Sequence, residues 1–267
     1  MLCIFCKEDA CASRSVEHII PESLGNTTLL LPPGIVCDKC NNYFARKIEK
    51  PLLESDEVYA LRFHQRVPNK RGIIPALAGT IGHTAPVLVQ LHDKGPFGGS
   101  MHASPEALDL MFNHNADVLN LPGFEDTWDR SLAARFLAKV ALEAIASRLI
   151  NYPAGLHSLA TDPQLDLIRS YARRGDGVPW PFYSRRIYPA DKLWLIPDGS
   201  EVQRVHENEF LSTDDGECYF ILALFGLELT INIGGRSIDG YLNWLACHAN
   251  ASPLYFGRNA NRPEDGK

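Results

Sequence analysis

The sequence lacks the features that mark several large protein classes. Nothing near its start resembles a signal peptide, and no apolar run approaches the length that a membrane-spanning helix needs. It contains no phosphate-binding P-loop, no glycine-rich dinucleotide fingerprint, no nucleophile elbow of a hydrolase and no internal repeat. We therefore expect a cytoplasmic protein, without a membrane partner, whose chemistry depends on some other motif.

The chain also lacks the excess of positive charge that is typical of proteins that coat nucleic acid. Its 32 acidic residues outnumber its 26 lysines and arginines, and its formal net charge is −6 at pH 7. A local basic patch can still bind phosphates on an acidic protein, so only tight, non-specific binding is disfavoured. With 267 residues, of which 45% are hydrophobic, the chain can form one large domain or two modest ones.

Cysteine carries the strongest pattern in the sequence. Four of the seven cysteines form two Cys-x-x-Cys pairs, Cys3 with Cys6 and Cys37 with Cys40. Such a turn offers two thiolates on one side of a metal, and a second turn completes the closed tetrahedron that Zn²⁺ prefers. The thirty residues between the pairs make a longer spacer than the usual two-pair zinc pattern has. The pattern predicts a structural zinc site that closes the intervening loop.

Paired cysteines have two other uses, which stay open as alternatives. Two disulfides would need an oxidising compartment, which the missing leader disfavours. A thioredoxin-like redox motif would need a βαβ unit, for which this stretch shows no obvious pattern. The remaining cysteines lack paired spacing and are typical of ordinary buried thiols; they are Cys11, Cys218 and Cys247.

A carboxylate and an imidazole lie side by side between the cysteine pairs. Glu17 and His18 belong to a short apolar run that Pro21 closes. Adjacent side chains of a strand point to opposite faces, so both can reach one site only if the strand bends or ends there. A carboxylate and an amide suit a hard divalent ion such as Mg²⁺, and a histidine beside that ion can take a proton from water. A lone histidine is more often a packed, hydrogen-bonded residue, and that alternative stays open.

Together these pieces resemble the HNH endonucleases, the ββα-metal family, in the subgroup whose motif is framed by two Cys-x-x-Cys zinc pairs. The likeness covers residues 1–55 and is specific as a combination, not in any single piece. It rests on the segments CIFC at 3–6, EHIIP at 17–21, LG at 24–25 and VCDKCN at 36–41, and it extends through Phe44 and Ile48.

The resemblance implies a role for each matching residue. His18 would be the general base that activates water for in-line attack on a phosphodiester. Glu17 and Asn41 would ligate the catalytic ion, Mg²⁺ or another divalent metal, although Asn42 could exchange roles with Asn41. The middle asparagine, which braces the general base in the family, has no match at its usual place, where this chain reads PPG at 32–34. Asn26 is the nearest candidate for it.

A short second strand is predicted at 34–37, followed by a helix at 39–50 with Asp38 as its N-cap. The apolar residues Phe44, Ile48 and Leu52 recur at four-residue spacing and predict one buried face. Pro51 is expected to end or kink the helix.

Basic residues suggest two kinds of surface. Arg46, Lys47 and Lys50 lie off the apolar face of the predicted helix, either as a solvated surface or, as the resemblance implies, as phosphate contacts. Elsewhere the sequence has two groups of basic residues. Each group would either contact nucleic acid or form an ordinary surface that is solvated or paired with acidic residues. They comprise residues 62–71 and the arginines Arg169, Arg173, Arg174, Arg185 and Arg186.

The predicted fold class is α+β. A zinc-held ββα-metal unit at 1–55 would precede a mixed domain of long helices and antiparallel strands at 56–267, whose function the residues do not indicate. The longest helix is expected at 131–150 because its apolar and small residues recur at helical spacing. Strands are expected near the end of the chain, at 193–196, 201–206, 218–224 and 227–233.

We expect a metal-dependent endonuclease that cuts DNA, with structural Zn²⁺ and a catalytic divalent ion. Two alternatives stay open. A zinc-stabilised module that binds nucleic acid without catalysis is favoured by the missing middle asparagine. A nuclease directed at RNA or at a special structure would be revealed by a requirement for the 2′-hydroxyl.

Overall fold

The fold is mixed α+β, with helices and antiparallel sheets, which confirms the predicted class. The structure, a computed structural model, describes residues 1–69, 71–92, 98–122, 129–175, 177–189, 192–195, 199, 201–202 and 204–256. No helix in this described part of the chain is both long and apolar enough to cross a membrane.

The chain divides into two compact units. The first contains Met1–Pro21, Asn26–Leu52 and Asp129–Lys267, and the second contains Glu22–Gly25 and Leu53–Trp128. The stretch with the paired cysteines therefore shares a unit with the last part of the chain. The domain boundary at residue 55 stays a prediction.

Two short strands and a helix form the N-terminal part of the first unit. Strand β1 (Glu17–His18) pairs antiparallel with β2 (Leu30–Leu31), so that Glu17 lies opposite Leu31 and His18 opposite Leu30. The second strand thus lies earlier than the predicted 34–37, where Gly34 has a φ of +94° and starts a turn instead.

The helical segment after the second cysteine pair continues through Pro51. It comprises α1 (Asp38–Phe44), a π-helical turn (Ala45–Glu49) and α2 (Lys50–Leu53). Proline has no N–H to donate and its ring clashes with the carbonyl four residues earlier, so a wider turn before it accommodates the ring. The prediction for Pro51 is an end or a kink of the helix near Lys50: the helix does not end there, and its distortion is the π-helical turn. The predicted apolar face is buried.

The second unit packs helices on a four-stranded antiparallel sheet. Its elements are α3 (Asp56–His64), β3 (Leu77–Ile81), β4 (Ala85–Leu91), β5 (Gly99–Ala103), α4 (Pro105–Asn113) and β6 (Leu119–Asn120). The strand order is β5-β4-β3-β6. Inward-facing residues such as Phe63, Leu77 and Val87 form its core.

The remainder of the first unit begins with the longest helix, α5 (Arg130–Leu149), which confirms the prediction at 131–150. Further elements are α6 (Gly155–Thr161), α7 (Asp166–Arg174), β7 (Phe182–Arg186), β8 (Trp194–Leu195), β9 (Glu201–Val202), β10 (His206–Ser212), β11 (Cys218–Leu224), β12 (Leu227–Asn232) and α8 (Asp239–Cys247). Strands β10-β11-β12-β7 form one antiparallel sheet in that order. Its last hairpin confirms the strands expected at 218–224 and 227–233.

Candidate active site and metal centre

The four paired cysteines come together in the first unit. The sulfur atoms of Cys3, Cys6, Cys37 and Cys40 all lie within 4.8 Å of one another, and those of Cys6 and Cys37 are 3.5 Å apart. A tetrahedral zinc ion with Zn–S bonds of about 2.3 Å holds its sulfurs about 3.8 Å apart. The cluster therefore suits zinc in both ligand type and spacing, and all seven cysteines are free of disulfides.

Backbone N–H groups orient the sulfurs. The N–H of Cys37 donates to Sγ of Cys3 at 3.3 Å, and the N–H of Cys40 donates to Sγ of Cys37 at 3.4 Å. The second bond makes Cys37 the N-cap of α1, so that the predicted cap, Asp38, is instead the first residue of the helix. The cap is a cysteine because the Cys-x-x-Cys turn and the first helical turn coincide.

The electrostatics of the cluster favour a bound cation. Burial raises the pKa of Cys6 to about 11, and the hydrogen bond with the Cys3 sulfur raises the pKa of Cys40 further. The same hydrogen bond, which the Cys3 sulfur accepts, lowers the pKa of Cys3 to about 4. Four clustered thiolates repel one another, and a divalent cation supplies the charge that lets all four ionise together.

Glu17 is buried, and its carboxylate contacts Lys139 of α5. The Nζ atom of Lys139 lies 2.8 Å from Oε1 of Glu17, 2.7 Å from Oε1 of Glu49 and 2.9 Å from Oε2 of Glu143. It also donates to the main-chain oxygen of His18 at 3.1 Å. One ammonium group thus connects α5 to both residues of β1. We define the side chains of Glu17, Glu49, Lys139 and Glu143 as the lysine cluster.

The lysine cluster shifts the pKa values of its members. Burial raises the pKa of Glu17 and, more strongly, that of Glu143, and the ammonium of Lys139 only partly offsets it. Burial also disfavours the charged form of Lys139, but the three surrounding carboxylates outweigh it and raise the pKa of its ammonium. Lys139 therefore stays charged, and of the two carboxyl groups with a raised pKa, that of Glu143 takes up a proton more readily than that of Glu17.

His18 lies on the opposite face of β1 from Glu17. Its side chain is half-buried, and its ring makes no hydrogen bond to any residue that the structure describes. The strand alternation that buries Glu17 therefore leaves the imidazole accessible to a ligand or a water molecule.

Asn41 lies beside the start of β1. Its side-chain Nδ2 donates to the main-chain oxygen of Val16 at 3.5 Å. One turn earlier on the same helix, the carboxylate of Asp38 accepts hydrogen bonds from the N–H groups of Arg14 and Ser15, at 3.1 and 3.0 Å. A hydrogen bond from the side chain of Ser15 and, after it, these N–H bonds lower the pKa of Asp38. Helix α1 is thus connected to the segment before β1 through two side chains.

The two neighbouring asparagines differ in their surroundings. Asn41 is half-buried and faces β1, whereas Asn42 is exposed. This difference favours Asn41 over Asn42 for the position that the family resemblance assigns to a metal ligand.

Asn26 is fully buried and organises the loop after β1. Its Nδ2 donates to the main-chain oxygens of Ile20 and Leu29, at 2.7 and 2.9 Å. Its Oδ1 accepts from the N–H groups of Thr28 and Leu29, at 3.1 and 2.8 Å. Among the described residues Asn26 makes no hydrogen bond to the His18 ring, so its side chain holds the loop and not the imidazole.

The basic side chains on the helical segment are exposed. Arg46 and Lys47 lie on its π-helical turn and Lys50 begins α2, all on the solvent side. Their exposure is compatible with a solvated surface and with phosphate contacts.

The N-terminal residues that carry the paired cysteines are similar to a known protein family. Residues 3–56 match the HNH endonuclease family model. This HNH segment, which we define as residues 3–56, carries both cysteine pairs together with Glu17, His18, Asn26 and Asn41. The match supports a nuclease-type function in general, a nucleic-acid substrate and a requirement for metal. Comparisons with curated proteins and with solved structures found no match.

Lys139 was missed by the sequence analysis because it lies outside the HNH segment, on α5. A signal was present: Lys139 and Glu143 are spaced i, i+4 on a stretch of α5 that otherwise consists of alanines and large apolar residues. A charged pair on such a face indicates a buried ion pair, although it does not reveal the other two partners, Glu17 and Glu49.

Proposed function

We propose that the protein is a metal-dependent endonuclease that hydrolyses phosphodiester bonds in DNA. The observation that carries the proposal is the HNH segment itself, in which the four cysteine sulfurs are close enough to share one zinc ion. DNA as the substrate, Mg²⁺ or another divalent ion as the catalytic metal, and a cytoplasmic location are parts of this proposal.

The proposed catalytic ion needs oxygen donors within reach of His18. Because the side chains of Glu17 and His18 alternate across β1, the ion would bind where this two-residue strand ends, so that both side chains can reach it. Oε1 of Glu17 contacts Lys139, but its Oε2 is buried without a hydrogen-bond partner among the described residues. An unpaired buried carboxylate oxygen fits a metal ligand, and we assign the amide oxygen of Asn41 as the second. When bound, the ion would stabilise negative charge on the scissile phosphate and on the leaving oxygen.

The chain's own residues would then act as follows. A ring nitrogen of His18 takes a proton from a water molecule, which attacks the phosphorus in line with the leaving oxygen. Lys139 holds Oε1 of Glu17 and the main-chain oxygen of His18, and so orients both residues of β1. Asn26 holds the following loop in place. Arg46, Lys47 and Lys50 contact flanking phosphates.

The proposal is tested by a plasmid-nicking assay with Mg²⁺, Mn²⁺ and Ni²⁺, on wild type, His18→Ala and the control His157→Ala. His157 is an exposed histidine of α6 in the same unit. We expect nicking by wild type and by the control, no nicking by His18→Ala, and about one zinc ion per chain in all three. Nicking by His18→Ala at the wild-type rate would overturn the assignment of the general base.

A non-catalytic nucleic-acid-binding module is the second candidate. It is favoured by one observation, that among the described residues Asn26 makes no hydrogen bond to the ring of His18. Wild-type protein that binds DNA but cuts neither DNA nor an RNA of matched sequence with any of the three metals would establish this alternative. Cleavage of the RNA alone would instead indicate an RNA-directed nuclease.

A further inference from the structure

A cleft lined by basic side chains lies beside the cysteine cluster. It has a volume of about 400 Å³ and is lined by Lys39, Cys40, Tyr43, Arg173 and Arg174. The first three belong to α1 and the two arginines to the last turn of α7, within one compact unit. None of the lining residues that the structure describes is acidic.

Among the described residues, the three cations of this cleft lack the carboxylate partners that several other arginines of the unit have. Those arginines pair with carboxylates: Arg148 with Glu209, Arg169 with Asp166, Arg185 with Glu228 and Arg204 with Glu207. By contrast, the side chains of Lys39, Arg173 and Arg174 make no hydrogen bond or ion pair with any residue that the structure describes. Three uncompensated cations around one cleft attract an anion, even on a protein of net negative charge.

The wall of the cleft is held in place from behind by Arg135 of α5. Its Nη2 donates to the hydroxyl of Tyr43 at 2.6 Å and to the main-chain oxygen of Arg173 at 2.8 Å. Its Nε donates to the main-chain oxygen of Ala172 at 3.2 Å. The end of α7 and the Tyr43 ring, over which the Arg135 guanidinium lies at 5.9 Å from the centroid, are therefore preorganised where they line the cleft.

We propose that this cleft binds backbone phosphates of the nucleic acid on which the HNH segment acts, with the Tyr43 ring beside a base. This inference rests on the proposed function. An acidic peptide would satisfy the three cations but would make no comparable use of an aromatic ring, whereas cations interleaved with an aromatic ring are typical of nucleic-acid surfaces. The last turn of α7 would then extend the substrate surface beyond residues 3–56.

The test is a binding titration of the full chain with a labelled DNA duplex, followed by fluorescence anisotropy between 50 and 200 mM KCl. All proteins carry His18→Ala so that the DNA stays intact, and zinc is measured on each preparation. The test variant is Arg173→Gln with Arg174→Gln. The matched control, Arg148→Gln with Arg204→Gln, removes the same charge from two arginines of the same unit that pair with Glu209 and Glu207.

We expect the cleft variant to bind roughly tenfold more weakly and to lower the slope of log Kd against log salt by about 2, because two phosphate contacts are lost. The control should stay within about twofold of its parent. Millimolar inorganic phosphate should displace little DNA, because a polymer engages several cations at once.

Three outcomes would overturn the inference. They are unchanged binding by the cleft variant, an equal loss in the control, and a loss that follows zinc content, which would mean that the arginines only balance the charge of the cysteine cluster. If wild type fails to nick DNA while the cleft variant still weakens binding, the proposed catalysis fails and the cleft assignment stands. If wild type nicks DNA but the cleft variant binds DNA as tightly as its parent, the cleft assignment alone fails.

Discussion

The Nζ atom of Lys139 lies 2.8 Å from Oε1 of Glu17, and the lysine side chain has no solvent exposure. One partner belongs to the HNH segment and the other to the long helix α5. Since Lys139 also bonds the main-chain oxygen of His18, both residues of β1 are positioned from outside the HNH segment. This contact is one physical reason why most of the HNH segment, which lies within Met1–Pro21 and Asn26–Leu52 of the first unit, shares a compact unit with residues from 129 onwards.

Lys139→Met is expected to destabilise the fold by roughly 3–5 kcal/mol, because it leaves three carboxylates of the lysine cluster without their cation. The measurement is urea unfolding of the zinc-loaded protein, followed by tryptophan fluorescence.

The control for this prediction is Glu143→Gln. Burial already raises the pKa of Glu143. Replacing its carboxyl group with a neutral amide should therefore change the free energy of unfolding by no more than about 1 kcal/mol. If Lys139→Met and Glu143→Gln lost equal amounts of stability, the single ammonium would not be the group that balances several carboxylates.

Cys40→Ser is expected to lose the zinc ion and to lower the melting temperature by roughly 10 °C, because the zinc site contributes directly to the free energy of folding. Zinc per chain and thermal unfolding would be measured on the same samples. Cys247→Ser, which changes an exposed cysteine of α8, should leave both quantities unchanged. Retention of a full zinc equivalent by Cys40→Ser would show that the four sulfurs are not one metal site.

Asn26→Ala is expected to cost roughly 2–4 kcal/mol of stability, because four hydrogen bonds to the loop after β1 are lost and buried backbone groups are left unpaired. The exposed neighbour Thr27 offers a control, Thr27→Ala, within the same loop. Urea unfolding measures the cost, and plasmid nicking at a temperature where both variants are folded measures the effect on activity. Full activity in Asn26→Ala would exclude Asn26 as the brace of the general base.

His206, the first residue of β10, makes stability depend on pH. Burial lowers its pKa below the ordinary 6.5, and the neighbouring Glu207 offsets this only in part. The unfolded chain therefore takes up a proton more readily than the folded one. Stability should be highest above pH 6.5 and should fall as the pH falls from 6.5 towards the pKa of the folded state.

The variant His206→Gln isolates this contribution. Urea unfolding of both proteins at pH 7.5 and 5.5, with saturating zinc, should show that wild type loses more stability between the two pH values than the variant does. An equal loss in the two proteins, or a larger loss in the variant, would contradict a destabilising burial of His206.

The sequence alone predicted the features that depend on local spacing. A Cys-x-x-Cys turn places two sulfurs on one side by its own backbone geometry, and the four sulfurs do lie together. Helix α5 could be predicted almost to the residue because its apolar and small residues recur at the helical period. The HNH resemblance was also visible in the sequence and is confirmed for residues 3–56.

Other local expectations failed because neighbouring constraints outweighed them. The second strand lies at Leu30–Leu31 instead of 34–37, since the chain turns at Gly34. Pro51 lies within the helical segment because a π-helical turn precedes it. Asp38 bonds the segment before β1 instead of capping α1, and Cys37 takes its place.

Only the tertiary structure decided which charges are paired. The sequence grouped Arg169, Arg173 and Arg174 as one basic concentration, but Arg169 pairs with Asp166 while the other two line a cleft with Lys39. In the same way, no periodicity could connect Lys139 with Glu17. Spacing along the chain determines which side chains share a face of one element, whereas ion pairing depends on how distant elements pack, and burial then decides how strongly each charge needs its partner.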